Sequence, residues 1–300
     1  MTGRDRQDSD RQDFAGRFIQ TPDGLSLHLR IYGKDLPGTP VICLPGLTRN
    51  SRDFHQLAAI LSQSANPWRV ITLDSRGRGL SDRDSDKSRY ALPIEALDVV
   101  TVLDTLAIDR AAFIGTSRGG LILHLLAASH RERLAAVVLN DIGPVIEREG
   151  LEQIKAYLGR EQKAPDDMEE AAAVLRAIHG DAFPALRPED WRDMADAIYR
   201  KVDGRIVADF DPAIAAQMAS ADLSQPIPDL WENFEAFGGT PLMAIRGETS
   251  KLLSPKTLEE MASRHPGMVS VTAKGQGHAP ILHIDGLAAL IGDFLTAALA

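Results

Sequence analysis

Several function classes are excluded by what the chain lacks. Among its 300 residues there is one cysteine, Cys43, so no internal disulfide forms and the composition suits a reducing compartment. No stripe of lysine and arginine runs through the sequence, and the formal charge is −9. Nucleic-acid backbones and anionic membrane surfaces, both bound through clustered basic residues, are therefore disfavoured as partners. Apolar runs stay well short of the roughly eighteen residues of a membrane span. The opening MTGRDRQDSDRQ lacks the apolar stretch of a secretory signal. These absences point to a cytoplasmic protein with a disordered lead-in over residues 1–12. No pair of histidines has metal-ligand spacing beside a carboxylate cluster, so no metal is expected.

What is present is a rhythm. The short apolar runs VICLPG, RVITLD, AAFIGTS and LAAVVLND each end at a loop residue and alternate with helical patterns over about 54–62, 93–106 and 119–128. That alternation predicts an α/β domain with a largely parallel sheet. Ahead of it, GRFIQTPDGLSLHLRIYG reads as a hairpin turning at Asp23-Gly24. From 144 to 237 the helical stretches LEQIKAYLG, MEEAAAVLRAIHG and EDWRDMADAIYR follow one another with few strand signals. This predicts a helical cap inserted between two parts of one core, 13–143 and 238–300, with a pocket beneath it. Loops near Gly204 and Pro226 are its candidate hinges, and Trp191, Tyr199, Trp231 and Phe234 its candidate core or pocket lining. The strand rhythm returns in PLMAIRG and MVSVTAKG before a closing helix over about 286–298.

The strongest chemical signal is FIGTSRGG, in which Gly115-Thr116-Ser117-Arg118-Gly119 fits G-x-S-x-G between a strand and a helix. A serine there sits on a sharp turn at a helix N-terminus, exposed and electrostatically assisted. Its hydroxyl needs a base. His278, in the glycine-bearing loop GQGHAP after the last strand run, is the candidate, with His283 its rival; the other histidines fall mostly in or at the ends of predicted helices. An oxyanion requires two backbone N–H groups aimed at one point. Arg118 offers one by position after the serine, and Leu47 in LPGLTRN offers the other.

In this order, LPGLTRN, DSRGRGLSD, GTSRGG, LNDIGP and GQGHAP resemble the α/β-hydrolase superfamily, from about Arg17 to the C-terminus. The resemblance implies the α/β-hydrolase fold, a mostly parallel eight-stranded sheet flanked by helices, with a serine, histidine and acid triad and no cofactor. Pro45 stands where a histidine is often found, which leaves the backbone donor in place. Family members most often carry the acid a few residues past a glycine like Gly247, yet this chain reads Glu248-Thr249-Ser250-Lys251 there. A lysine cannot orient an imidazolium. The chain is similar to a subgroup of small esterases and amidohydrolases with D-I-x-P after the strand that follows the nucleophile helix. That likeness implies Asp141 as the acid and Ser250 as an auxiliary partner of the histidine, with Glu248 held in reserve.

Arg49, Arg52 and Arg118 lie on loops expected to converge at the mouth of the site, where they are candidates for binding a substrate carboxylate; Arg76 and Arg78 belong to a structural turn. The expected function is hydrolysis of a small carboxylic ester or lactone through an acyl-serine intermediate. Amide or carbon–carbon bond cleavage on the same triad, or slow-turnover ligand reception, are the alternatives. Epoxide hydrolases and dehalogenases need a carboxylate nucleophile, and position 117 is serine. The partner is a small-molecule substrate; oligomeric state is left open.

Overall fold

The computed structural model of the chain describes residues 13–160 and 164–300. The lead-in expected over 1–12 lies outside the described residues. In chain order the elements are strands β1 (Ala15–Gln20), β2 (Ser26–Tyr32) and β3 (Val41–Leu44), helix α1 (His55–Gln63), β4 (Val70–Leu73), α2 (Leu92–Thr105), β5 (Ala111–Thr116), α3 (Arg118–Ser129) and β6 (Leu134–Asn140). There follow α4 (Arg148–Leu158), α5 (Met168–His179), α6 (Pro188–Ile198), a hairpin of β7 (Tyr199–Val202) and β8 (Arg205–Ala208), α7 (Pro212–Ser220) and α8 (Trp231–Glu235). The chain closes with β9 (Leu242–Gly247), α9 (Pro255–Arg264), β10 (Val269–Ala273) and α10 (Leu287–Leu299).

Eight strands form one sheet in the order β1-β2-β4-β3-β5-β6-β9-β10. Its first two pairings are antiparallel and the rest parallel. Strands as uniformly apolar as VICL and LAAVVLN have no polar face to give to water, so they occur where helices cover both sides. Side chains alternate across the sheet: Ile42, Leu44, Phe113, Val137 and Leu139 enter one core with α2 and α3, while Val41, Cys43, Ile114, Ala136 and Val138 enter another with α1 and α10. The eight-stranded, mostly parallel sheet with flanking helices is the architecture anticipated from the sequence.

Between β6 and β9 the chain leaves the sheet. Helices α5 and α6 and the small hairpin enclose a third apolar cluster around Leu175, Trp191, Ala195 and Ile206. Three details differ from or add to the sequence reading here. Gly204 is no hinge: Asp203 and Gly204, both at positive φ, form the tight turn of the β7–β8 hairpin. The strand pair was missed because its residues, YRKV and RIVA, are partly exposed and carry charge. Trp231 and Phe234, on α8, pack with the main core beside α3 and α9 rather than with Trp191.

Candidate active site

The strand order determines where the site falls. From β3 the chain steps to β4 on one side of the sheet, then returns to β5 on the other, so the loops after β3 and β5 diverge at their carboxyl ends and leave a crevice. Leu47 follows β3, Ser117 follows β5, Asp141 follows β6, Ser250 follows β9 and His278 follows β10. These strands are neighbours in the sheet, and the five residues meet at one edge.

Ser117 sits at φ 50° and ψ −111°, a conformation costly for a residue with a side chain. The surroundings enforce it. A Cβ built on Gly119 would lie 2.1 Å from the Leu44 carbonyl oxygen, so only glycine lets α3 start this close to β3. The 12-residue helix then directs its N-terminal amides at the space in front of Ser117.

His278 bridges the serine and the acid. Its Nδ1–H donates to Asp141 Oδ2 at 2.7 Å, and the Ser117 hydroxyl donates to its Nε2 at 2.9 Å. A carboxylate only accepts, so this bond places the ring proton on Nδ1 and leaves Nε2 free to accept. Asp141 is fully buried and also accepts from the Gly247 amide at 2.8 Å and the Ser250 hydroxyl at 2.6 Å. Ser250 is itself held by the amides of Leu252 and Leu253. Arg246 stitches the loop together through the carbonyls of Glu248, Ser250 and Leu253. Asn140, not anticipated from sequence, donates to Thr116 Oγ1 and the Pro280 carbonyl, tying the His278 loop to β5.

Other sequence candidates lie elsewhere. Glu248 accepts from Lys274 and the Gly275 amide, outside the histidine network. Lys251 turns away to Glu149 on α4, 3.3 Å distant. His283 reaches the same cavity as His278 but faces Asp193, not Ser117. The Leu47 and Arg118 amides make no hydrogen bond among the described residues; Leu47 borders the cavity with Ser117, and Arg118 follows Ser117 in the chain.

Of the three arginines expected at the mouth, the structure keeps one available there. The Arg118 side chain is drawn under the site by Glu95, at 2.8 Å, and the Tyr90 carbonyl. Arg52 uses its donors on the inserted segment, on Asp209 at 2.7 Å and the carbonyls of Asp196, Ala197 and Tyr199. Buried acceptors claimed both side chains, and sequence spacing carries no trace of that. Arg49 alone faces the cavity with donors to spare.

A second unanticipated device lies below. Arg78, almost wholly buried, donates to the Leu47 carbonyl at 2.9 Å and to Glu95 at 2.8 Å. Glu95 thus joins Arg78 and Arg118, linking Arg118 to the residue that grips the Leu47 carbonyl. The sequence signal was two acids, Glu95 and Asp98, on the buried face of an otherwise apolar helix.

Above the site lies a cavity of about 660 Å³, floored by Gly46, Leu47, Ser117 and His278 and roofed by the segment between β6 and β9. Asn50 and Arg52 fasten that roof to the core. Such a space is large enough for a small organic molecule, and Ser117 and His278 border it. No group of three or more His, Cys, Asp or Glu among the described residues is arranged to hold a metal, and none of their helices is long and apolar enough to cross a membrane.

A family model for the alpha/beta hydrolase fold matches residues 39–283. The chain is 32% identical over 291 residues to a 3-hydroxybutyrate-oligomer hydrolase of Cupriavidus necator, covering 94% of this chain and 97% of that one. It is 28% identical over 254 residues to the 2-(acetamidomethylene)succinate hydrolase of Mesorhizobium japonicum, covering 85% of each. Among solved structures, an alpha/beta hydrolase from Novosphingobium aromaticivorans is similar with a TM-score of 0.86 and 40% identity, over 95% of this chain and 98% of that one. The chain belongs to the α/β-hydrolase family and is a hydrolase.

Proposed function

We propose that this α/β-hydrolase is a serine esterase, with Ser117 as nucleophile, His278 as general base and then acid, and Asp141 as the orienting carboxylate. The observation that carries this reading is the continuous chain of hydrogen bonds from Ser117 through His278 to Asp141. In the first half-reaction Ser117 Oγ attacks the ester carbonyl while its proton passes to His278 Nε2. The oxyanion takes hydrogen bonds from the Leu47 and Arg118 amides. Collapse expels the alcohol, protonated by His278, and leaves an acyl-serine. A water molecule deprotonated by the same nitrogen then releases the acid and restores Ser117.

Kinship with the 3-hydroxybutyrate-oligomer hydrolase supports short hydroxyacyl esters as the substrate class. The cavity, about 660 Å³, suits an oligomer of a few units or a lactone of similar size. Cleavage of a nitrogen-bearing substrate is the second reading, supported by kinship with a hydrolase named for an acetamido compound.

The test is multiple-turnover hydrolysis of p-nitrophenyl butyrate and the linear 3-hydroxybutyrate dimer. Wild type turns over both, and Ser117→Ala and Asp141→Asn each lose at least about a hundredfold in kcat. Full activity in Ser117→Ala would exclude the acyl-serine route.

A further inference from the structure

The cavity's polar groups fall into two neighbouring sets. In one, Asp193, Asp190 and Asp53 act on His283. The other is formed by Arg49 together with Tyr157 of α4, His179 at the end of α5 and Tyr199 of β7. The Tyr157 and His179 rings pack edge to face with centroids 5.0 Å apart. Neither tyrosine hydroxyl nor the His179 imidazole has a hydrogen-bond partner among the described residues, although all three line the cavity. These are polar groups turned toward the cavity and not committed to protein partners, so they can bond a ligand that fills it.

Arg49 is held in a way that leaves its binding end free. Its Nε donates to both Asp53 carboxylate oxygens, at 2.7 and 2.8 Å, and one Nη2 hydrogen also goes to Asp53. A guanidinium has five N–H donors in a planar fork. The side-on grip by Asp53 leaves the Nη1 hydrogens and the second Nη2 hydrogen, the end-on pair that matches a carboxylate's two oxygens. The anchor also stands at a useful distance from the chemistry. A Cβ built on Gly46 would lie 3.5 Å from Arg49 Cγ and 3.9 Å from Ser117 Cβ, so the arginine stem starts beside the nucleophile, and its guanidinium is held by Asp53.

We propose that Arg49, set by Asp53 and flanked by Tyr157, His179 and Tyr199, binds a carboxylate of the substrate, so that the site selects esters bearing a free carboxylate over their neutral counterparts. This deepens the esterase reading and rests on it. The Arg49 set is built for an anion rather than a cation. Burial, reinforced by the positive charge of Arg49, pushes the His179 imidazole down to about 4, so the ring is neutral at pH 7 and adds a hydrogen bond without a second charge. Burial pushes the Tyr199 hydroxyl up to about 12, so it remains a donor. The exposed Arg160 also lines the cavity and adds positive charge, while the Asp53 carboxylate is already occupied by Arg49.

The experiment compares kcat/KM for the linear 3-hydroxybutyrate dimer with that for its methyl ester, using p-nitrophenyl butyrate to report esterase activity separately. Wild type is expected to favour the free acid by about tenfold or more, mostly through KM, as for a charge-assisted hydrogen-bond pair. Arg49→Gln is expected to bring the ratio close to one, and Tyr157→Phe to lower it by a smaller factor. A wild-type ratio near one, or a ratio unchanged in both variants, overturns the anchor while p-nitrophenyl butyrate turnover leaves the esterase reading standing. If no ester is hydrolysed at all, calorimetric titration of Ser117→Ala with the dimer and its methyl ester decides the anchor independently. Tighter binding of the acid supports it, and equal or absent binding of the two removes it.

Discussion

Ser250 shows how much one hydroxyl does at this site. It donates to the same Asp141 oxygen that receives the His278 proton, and it is fixed by two backbone amides of its own loop. On the serine-hydrolase reading it is a positioning residue: it shares the aspartate's negative charge and holds that carboxylate in the plane of the imidazole. Ser250→Ala is expected to lower kcat on p-nitrophenyl butyrate by about tenfold, less than loss of the acid itself. With less of its charge neutralised, Asp141 favours the imidazolium more strongly, so the acid limb of the kcat/KM profile should move to higher pH. Glu248→Gln serves as the contrast and should stay within about twofold, because Glu248 is engaged by Lys274 and Gly275. An unmoved acid limb in Ser250→Ala would reduce Ser250 to a loop fastener. At this scale the sequence was legible where chemistry constrains the backbone as well as the side chain. Ser117 stands in a glycine pattern that only a strained turn requires, and His278 in a loop after a strand. Asp141 was reachable only through family likeness, since a buried acid and a turn-capping aspartate look alike in a string of letters. Side-chain direction was not legible at all: Arg49, Arg52 and Arg118 come from neighbouring loops, yet two are consumed by acceptors that no local pattern announces.

Helix α2 matters to the site without reaching it. Its Glu95 accepts from Arg78 and Arg118, and Arg78 in turn grips the Leu47 carbonyl. Burial alone would raise the Glu95 carboxyl, but the two guanidiniums hold it below the ordinary carboxylate range and so charged. Glu95→Gln removes the charge and leaves two arginines facing one another with little water, the situation in which a broken buried pair costs about 3–5 kcal/mol. The expected outcome is a lower urea midpoint together with a fall in kcat of about tenfold, measured where circular dichroism shows the variant folded. On the serine-hydrolase reading the link acts on amides that meet developing charge, so KM should change little. Loss of stability with kcat intact would show that the amides keep their places without α2. The helices themselves were well marked in the sequence: α1, α2, α3 and α10 begin and end within about a residue or two of where apolar spacing puts them. What failed was the assignment of short or mixed elements. The β7–β8 hairpin is partly exposed and so shows no clean apolar run, although its Asp203-Gly204 turn was a readable clue. The five residues of α8 are too few to show which core they serve; contacts with α3 decide it.

The whole molecule is a sheet sealed on both faces, and that sealing fixes how it responds to acid. His124 lies on α3 with no exposed surface, its ring 5.3 Å from that of Phe237. Burial pushes its imidazole down to about 4, only partly offset by the bond from Nδ1 to the Gly120 carbonyl. In the unfolded chain the same group titrates near its ordinary value of 6.5. Between those two values the unfolded state takes up a proton that the folded state refuses, so stability falls as pH drops from about 6.5 toward 4. The slope is at most about 1.4 kcal/mol per pH unit for this one group. His179, depressed to a similar value by burial and Arg49, adds to the loss in the same window. A depressed carboxylate acts lower down. Asp74 is buried, yet bonds from His28 and from the Leu80 and Ser51 amides hold it below its ordinary 3.8, so its contribution is present above that value and disappears only in stronger acid. Asp74 therefore leaves untouched the interval between 4 and 6.5, in which the sequestered His124 and His179 destabilise the fold as pH drops. Urea midpoints at pH 7 and pH 5 should show a clear drop for wild type and a smaller one for His124→Leu, which has no proton to accept in either state. An equal drop in the two proteins would mean that His124 is protonated in the folded molecule, and that the core beneath α3 admits water where the structure closes it.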